Sequence, residues 1–174
     1  MIRLLSATLL LLLCSTLCFG QDRSELEKRH GFKSIKLDMP VDSVKGAKLK
    51  KEIKEKLKDG EYPARLFTVE DPEYAQIGEV KVSKIEVKTY KDIIYEISVT
   101  ADKDPRLMKA LESLYGRADY DMKTEMYFWK TPGLILTFKT ADRNHLELVY
   151  TSFVVHKTMK DDKSKKVDDI ANDF

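Results

Sequence analysis

Between Glu125 and Val155 the chain runs through three segments of alternating apolar and polar residues, joined by connections too short for anything but hairpins. Parallel strands need a crossover of about a dozen residues or more, so these segments must run back and forth. Glu125–Lys130 turns at Thr131-Pro132-Gly133 into Leu134–Thr140, and Ala141–His145 loops into Leu146–Val155. Pairing Trp129 with Leu134 and Thr140 with Leu146 brings Tyr127, Trp129, Leu134, Leu136, Phe138, Leu146, Leu148 and Tyr150 onto one face, the expected core. The same alternation turns Met126, Phe128 and Ile135 the other way, so both faces of the hairpin are apolar. Contiguous exposed apolar area marks a binding site. Met126, Phe128 and Ile135 are therefore the candidate interaction surface, to be covered either by the chain's own tail or by a partner.

Upstream of these strands lies the clearest helix signal. Asp104 suits an N-cap, and Pro105 suits the first helical position, where no amide hydrogen is needed. Leu107, Met108, Leu111, Leu114 and Tyr115 form one stripe, and Gly116 ends it. Before it, Val80–Val99 reads as a hairpin turning at Lys91-Asp92, with Ile93, Tyr95, Ile97 and Val99 on one face of the second arm. In the first arm Val80 and Val82 sit at even positions but Ile85 and Val87 at odd ones, which predicts a β-bulge near Ser83-Lys84. Leu49, Ile53 and Leu57 recur every four residues, and this spacing predicts a helix over Ser43–Lys58 stopped by Gly60. Short strands are expected at Ser34–Met39 and Ala64–Val69.

The order is helix, strand, hairpin, then helix and three strands, then a charged tail. It implies an α+β fold: two helix-plus-antiparallel-strand blocks forming a two-layer helix/sheet domain. The tail, residues 157–174, is expected to be a charged C-terminal helix with a thin stripe of Met159, Val167 and Ile170.

The start has the zones of a signal peptide: Arg3, an apolar run over Leu4–Leu13, and a small-residue exit ending at Gly20. A membrane-spanning helix needs about 20 apolar residues, more than this run supplies. Residues 1–20 are thus expected to be removed, leaving a polar entry segment at 21–33 and a single domain at 34–156. The product is an exported protein, periplasmic or secreted. Cys14 and Cys18 lie in the leader, so the remainder has no disulfide, catalytic thiol or cysteine-bound metal.

Chemistry-bearing patterns are absent from the rest. A formal net charge of +2 with 34% charged residues describes a mixed-sign surface with no nucleic-acid partner. His30, His145 and His156 have no companions at metal-ligand spacing, and His145 beside Asp142 and Arg143 reads as an ordinary turn. The seven glycines are scattered, so no phosphate-binding loop is present, and no serine lies in a nucleophile-elbow context. No cofactor or metal is expected. Seven lysines between Lys45 and Lys58 offer contact with an anionic membrane surface, against the plainer reading of a solvated face.

Leu37-Asp38-Met39-Pro40-Val41-Asp42-Ser43-Val44 resembles the helix-entry phrase of small exported bacterial α/β modules, and Leu114-Tyr115-Gly116-Arg117 followed by Trp129 resembles their helix–Tyr-Gly–strand–Trp phrase. These modules include the small lipoproteins of the outer-membrane barrel-assembly machinery and the β-lactamase inhibitor proteins. The resemblance covers about a third of the chain, lacks a lipid-bearing cysteine, and has Arg117-Ala118 where a proline often follows the glycine. It implies a helix layer on an antiparallel sheet that binds other proteins without catalysis. The expected function is an exported, non-enzymatic protein-interaction module whose partner is another envelope protein. The alternative is a small-ligand or lipid carrier using a concave sheet face.

Overall fold

A computed structural model describes residues 23–172; the leader assigned to residues 1–20 lies outside them. The chain forms α1 (Ser24–Arg29), a small hairpin of β1 (Gly31–Phe32) and β2 (Ile35–Lys36), then β3 (Ala47–Leu57), β4 (Gly60–Val69), β5 (Gln76–Ile77), β6 (Val80–Tyr90) and β7 (Ile93–Asp102). After α2 (Pro105–Tyr115) come β8 (Asp119–Asp121), β9 (Met126–Lys130), β10 (Leu134–Thr140), β11 (His145–Ser152) and α3 (Phe153–Asn172). The large sheet has the order β3-β4-β6-β7-β11-β10-β9-β8, with β5 added beside β6. All its ladders are antiparallel. Two meanders therefore meet at the centre, where the last strand of the first, β7, pairs with the last strand of the second, β11.

Local chemistry explains most of these boundaries. Lys91 and Asp92 both adopt positive φ (49° and 64°), the left-handed pair that a tight two-residue hairpin requires. The register of β6 against β7 slips between Val82 and Lys84, so Ser83 is the extra residue and the apolar set returns to one face. Asp104 accepts a hydrogen bond from the Arg106 amide at 2.8 Å, capping α2 just before Pro105. Gly116 leaves the helix at φ 78°, a conformation that side-chain-bearing residues avoid. Its carbonyl accepts the Trp129 indole N–H at 2.7 Å, and Tyr115 meets the Trp129 ring edge-on with centroids 6.2 Å apart. The Tyr-Gly…Trp phrase is a lock between α2 and β9.

The expected helix over Ser43–Lys58 is instead the edge strand β3, entered through a short 3-10 turn at Val41–Ser43. Spacing of four is even, so Leu49, Ile53 and Leu57 fit a strand as well as a helix. The partner β4 decides, pairing Ile53 with Ala64 and Leu57 with Gly60. A bulge at Lys50 then turns Leu49 away, leaving it 55% exposed. The lysines lie along a sheet edge, where charge discourages pairing with other chains. No helix is there to lie on a membrane.

Three other expectations change. Trp129 pairs with Leu136, and Tyr127 with Phe138, because Pro132-Gly133 alone makes the turn: Thr131 N–H donates to the Leu134 carbonyl at 2.9 Å. The facing of these strands survives the two-residue slip because strand period is two, but Tyr127, expected in the core, is 40% exposed and packs against Tyr120 on the edge strand β8. On β7 the pairs Thr89–Ile94 and Lys88–Glu96 leave Tyr95 as an extra residue, so Ile94 joins Ile97 and Val99 in the core while Tyr95 goes to the opposite face. The entry segment is structured: α1 docks through Leu26, and the Ser34–Met39 region is only the second arm of the β1–β2 hairpin.

The helices do not share one layer. Leu107, Leu111 and Tyr115 of α2 pack with Val87, Val99, Trp129 and Leu148 on one face of the sheet. Val155 and Met159 of α3 pack on the other, against Tyr62, Ala64, Tyr90 and Tyr95. The domain is α+β and sheet-dominated, and the two-block, two-layer description is not reproduced: the helix expected to open the first block is the strand β3, and α3 begins at Phe153 and crosses the far side. Ser152 caps it, its Oγ accepting the amides of Val154 and Val155 at 3.1 and 3.2 Å. Of the tail's expected stripe, Met159 is fully buried and Val167 is 60% exposed; the Ile170 side chain lies outside the described residues.

Candidate functional site

The sheet face away from α2 is only partly covered, by α3. Ladder register builds it in rows running across the strands. The first carries Lys88, Glu96, Thr151, Ile135 and Lys130; the second Glu86, Ser98, Val149, Thr137 and Phe128; the third Lys84, Thr100, Glu147 and Lys139. Only the second row grades from charged Glu86 through Ser98, Val149 and Thr137 to apolar Phe128; the first and third end in Lys130 and Lys139. Phe128 and Ile135 form an apolar lip over β9 and β10, with Met126 on the same face.

Charges on this face are held in place by neighbours. Glu86 takes Lys50 at 2.8 Å and Lys84 at 3.1 Å. Partial burial works to raise its pKa, but the two lysines outweigh it and the carboxyl ends below its ordinary value. Glu147 accepts the Ser98 hydroxyl at 2.7 Å and pairs with Lys139 at 3.1 Å, with the same outcome. Lys88 bridges Glu55 at 3.2 Å and Glu96 at 3.0 Å. Burial favours the neutral amine, yet the flanking carboxylates hold the Lys88 pKa above normal. Glu96 goes the other way: burial raises its pKa despite Lys88.

At the end of the face where β6 turns into β7, α3 is strapped down. Its Asp162 accepts from Lys91 Nζ at 2.6 Å and from the Tyr90 hydroxyl at 3.0 Å, and Lys163 reaches the Asp59 carbonyl. Beneath the helix the Tyr95 hydroxyl donates to Glu55 at 2.9 Å, while its ring lies 5.4 Å from that of His156. His156 Nε2 is buried and has no hydrogen-bond partner among the described residues, and burial depresses the imidazole pKa.

Met126, Phe128 and Ile135 are all half-buried on this face. Phe153, at the start of α3, lies near them, its ring 5.5 Å from Lys130 Nζ; α3 then moves off toward Tyr95 and Tyr62. The structure brings Phe128 and Ile135 to adjacent strands at one end of the rows. Sequence reading missed the charged end, because Glu55, Glu86, Lys88 and Glu96 belong to distant segments whose pairing no local pattern announces.

His145, read from sequence as part of an ordinary turn, and His30 have specific surroundings. His145 Nδ1 lies 2.9 Å from Asp142, whose carboxylate also accepts the Asn144 and His145 amides, so that group closes a turn. His30 lies 2.8 Å from Asp38, and Asp38 accepts the Ser152 hydroxyl at 2.5 Å. These are the residue types of a hydrolytic triad in the wrong order. The acid contacts the serine, no base does, and the serine oxygen is occupied by the α3 amides. Among the described residues no group of three or more His, Cys, Asp or Glu side chains is arranged to hold a metal, and no helix is long and apolar enough to cross a membrane. The chain matches no protein-family model, no curated protein and no solved structure.

Proposed function

We propose that this chain is an exported, non-enzymatic module that binds another envelope protein through the open face of its sheet. The observation that carries the reading is the asymmetry of that sheet. One face is sealed by a continuous apolar cluster, whereas the other is covered by α3 at one end and elsewhere presents held charges together with the apolar Phe128 and Ile135. A surface already ordered by its own ladders and ion pairs loses little conformational entropy on binding, which favours recognition. The leader supports export, and the resemblance to barrel-assembly lipoproteins and β-lactamase inhibitor proteins supports protein binding. The carrier alternative has less behind it on this face, where threonines and ion pairs stand in place of an enclosed apolar cavity.

Immobilised protein exposed to its own envelope extract tests the proposal. A partner captured by the wild type and lost with Phe128→Glu, while circular dichroism is unchanged, is the expected result. Equal capture by both proteins, or loss of folding with capture by Phe128→Ala also unaffected, removes the apolar lip from the binding surface.

A further inference from the structure

A second site lies on the opposite side of the molecule. Between α2, the β1–β2 hairpin and β5 there is a cleft of about 270 Å³. Leu107, Leu111 and Leu114 line one wall, and Phe32 and Ile77 line the other. Leu114 is 41% exposed, unusual for a leucine on a stripe that otherwise packs inward.

Polar groups converge on this apolar slot from one direction. Arg29, Lys33 and Lys36 stand around it, brought together by the left-handed His30 (φ 50°) that ends α1 and by the tight turn at Lys33 (φ 52°). Their charges are poorly compensated. Lys33 Nζ donates to the Glu73 carbonyl at 2.6 Å and Lys36 Nζ to the Arg29 carbonyl at 2.7 Å, so both ammonium groups are held by backbone oxygens. Arg29 reaches Glu25 only at 3.7 Å, and that carboxylate is held closer by Lys28, at 2.8 Å. Burial and the adjacent Arg29 both depress the Lys36 pKa, as expected where like charges crowd. Tyr115 and Tyr150 also line the cleft, each 3% exposed.

We propose that this cleft binds a small amphipathic monoanion, its apolar body between α2 and β5 and its carboxylate or sulfonate among Arg29, Lys33 and Lys36. The volume is just below the range of about 300–1,000 Å³ typical of drug-sized ligands, which points to a short-chain or single-ring acid. This site is independent of the open sheet face.

Octanoate and octan-1-ol, which share a chain length and differ in charge, separate the possibilities when titrated into the protein and followed by methyl NMR. Octanoate should shift the Ile77 and Leu111 methyls saturably, and octanol should bind about tenfold or more weakly. Lys33→Glu with Lys36→Glu should weaken octanoate by about tenfold and leave octanol unchanged. If that double variant unfolds, Lys33→Glu alone, at an exposed position, should still weaken octanoate about threefold. Ala110→Trp, which fills the cleft from an exposed helical position, should abolish both. Phe128→Glu should change neither, which separates this site from the sheet face. Equal affinity for acid and alcohol, no saturable shift, or shifts confined to Ile135 would overturn the proposal.

Discussion

On the α2 side of the sheet, Val87, Ile97, Val99, Leu136 and Leu148 pack beneath a helix and a tryptophan; one residue along the same strands, on the α3 side, stand Lys88, Glu96, Ser98, Thr137 and Glu147. The same backbone ladders support both faces, so the difference lies in side chains alone. Burial of apolar area stabilises by about 25 cal/mol per Å², whereas exposed ion pairs contribute about 0–1 kcal/mol each. Stability is therefore concentrated on the first face, leaving the second free to be specified by contact. Only at the α3 strap does the second face acquire a core of its own, and there the tyrosines carry it.

The comparison breaks first at Trp129. It is fully buried and bonded to Gly116, so Trp129→Ala should cost about 3–5 kcal/mol in denaturant unfolding. A loss below about 1 kcal/mol would mean the α2 face is not the main store of stability. Met159 anchors α3 at 0% exposure, and Met159→Ala should cost about 2 kcal/mol, the low end for such truncations because the strap is peripheral. Hydrogen exchange should speed up in α3 and leave β10 and β11 protected; uniform acceleration would contradict a separate strap.

Acid should loosen that same strap. Burial holds the folded-state pKa of His156 below its ordinary 6.5, so between the two values the unfolded chain binds more protons. Its stabilising contribution is complete above pH 6.5 and is lost as pH falls through the depressed value. The unfolding midpoint should drop more steeply from about pH 7 to pH 5 in the wild type than in His156→Phe, and parallel curves would refute the assignment.

Phe128→Glu should cost under about 1 kcal/mol, since a half-buried position on the open face loses little on exposure to water. Smallest of all, a double-mutant cycle on Lys50 and Glu86 should give a coupling of about 0.2–1 kcal/mol that shrinks with added salt. A salt-independent value would mean the charged end of the face is more deeply shielded than its geometry indicates.

Legibility followed the range of the governing interaction. The bulge at Ser83, the Lys91-Asp92 turn and the Asp104 cap were readable because each depends on residues within a few positions of one another. Phe128 and Ile135 were readable as a pair because a two-residue turn joins their strands. The charged end was not: Glu55 meets Lys88 and Tyr95 from more than thirty residues away, and nothing near Glu55 distinguishes it from the other acidic residues of a lysine-rich segment. The cleft was likewise hidden, because its cations come from α1 and the β1–β2 hairpin while its leucines come from α2.

From residue order alone came the antiparallel sense of the second meander, the limits of α2 and the division of β9 and β10 into two faces, since turn length, capping chemistry and the two-residue strand period act locally. Only the assembled structure decided that Ala47–Leu57 is a strand and that α3 crosses the face opposite α2. An even spacing of four satisfies helix and strand alike until a partner strand supplies the hydrogen bonds. A thinly apolar helix such as α3 likewise takes its side from where buried tyrosines wait for it, and that is a property of the whole sheet.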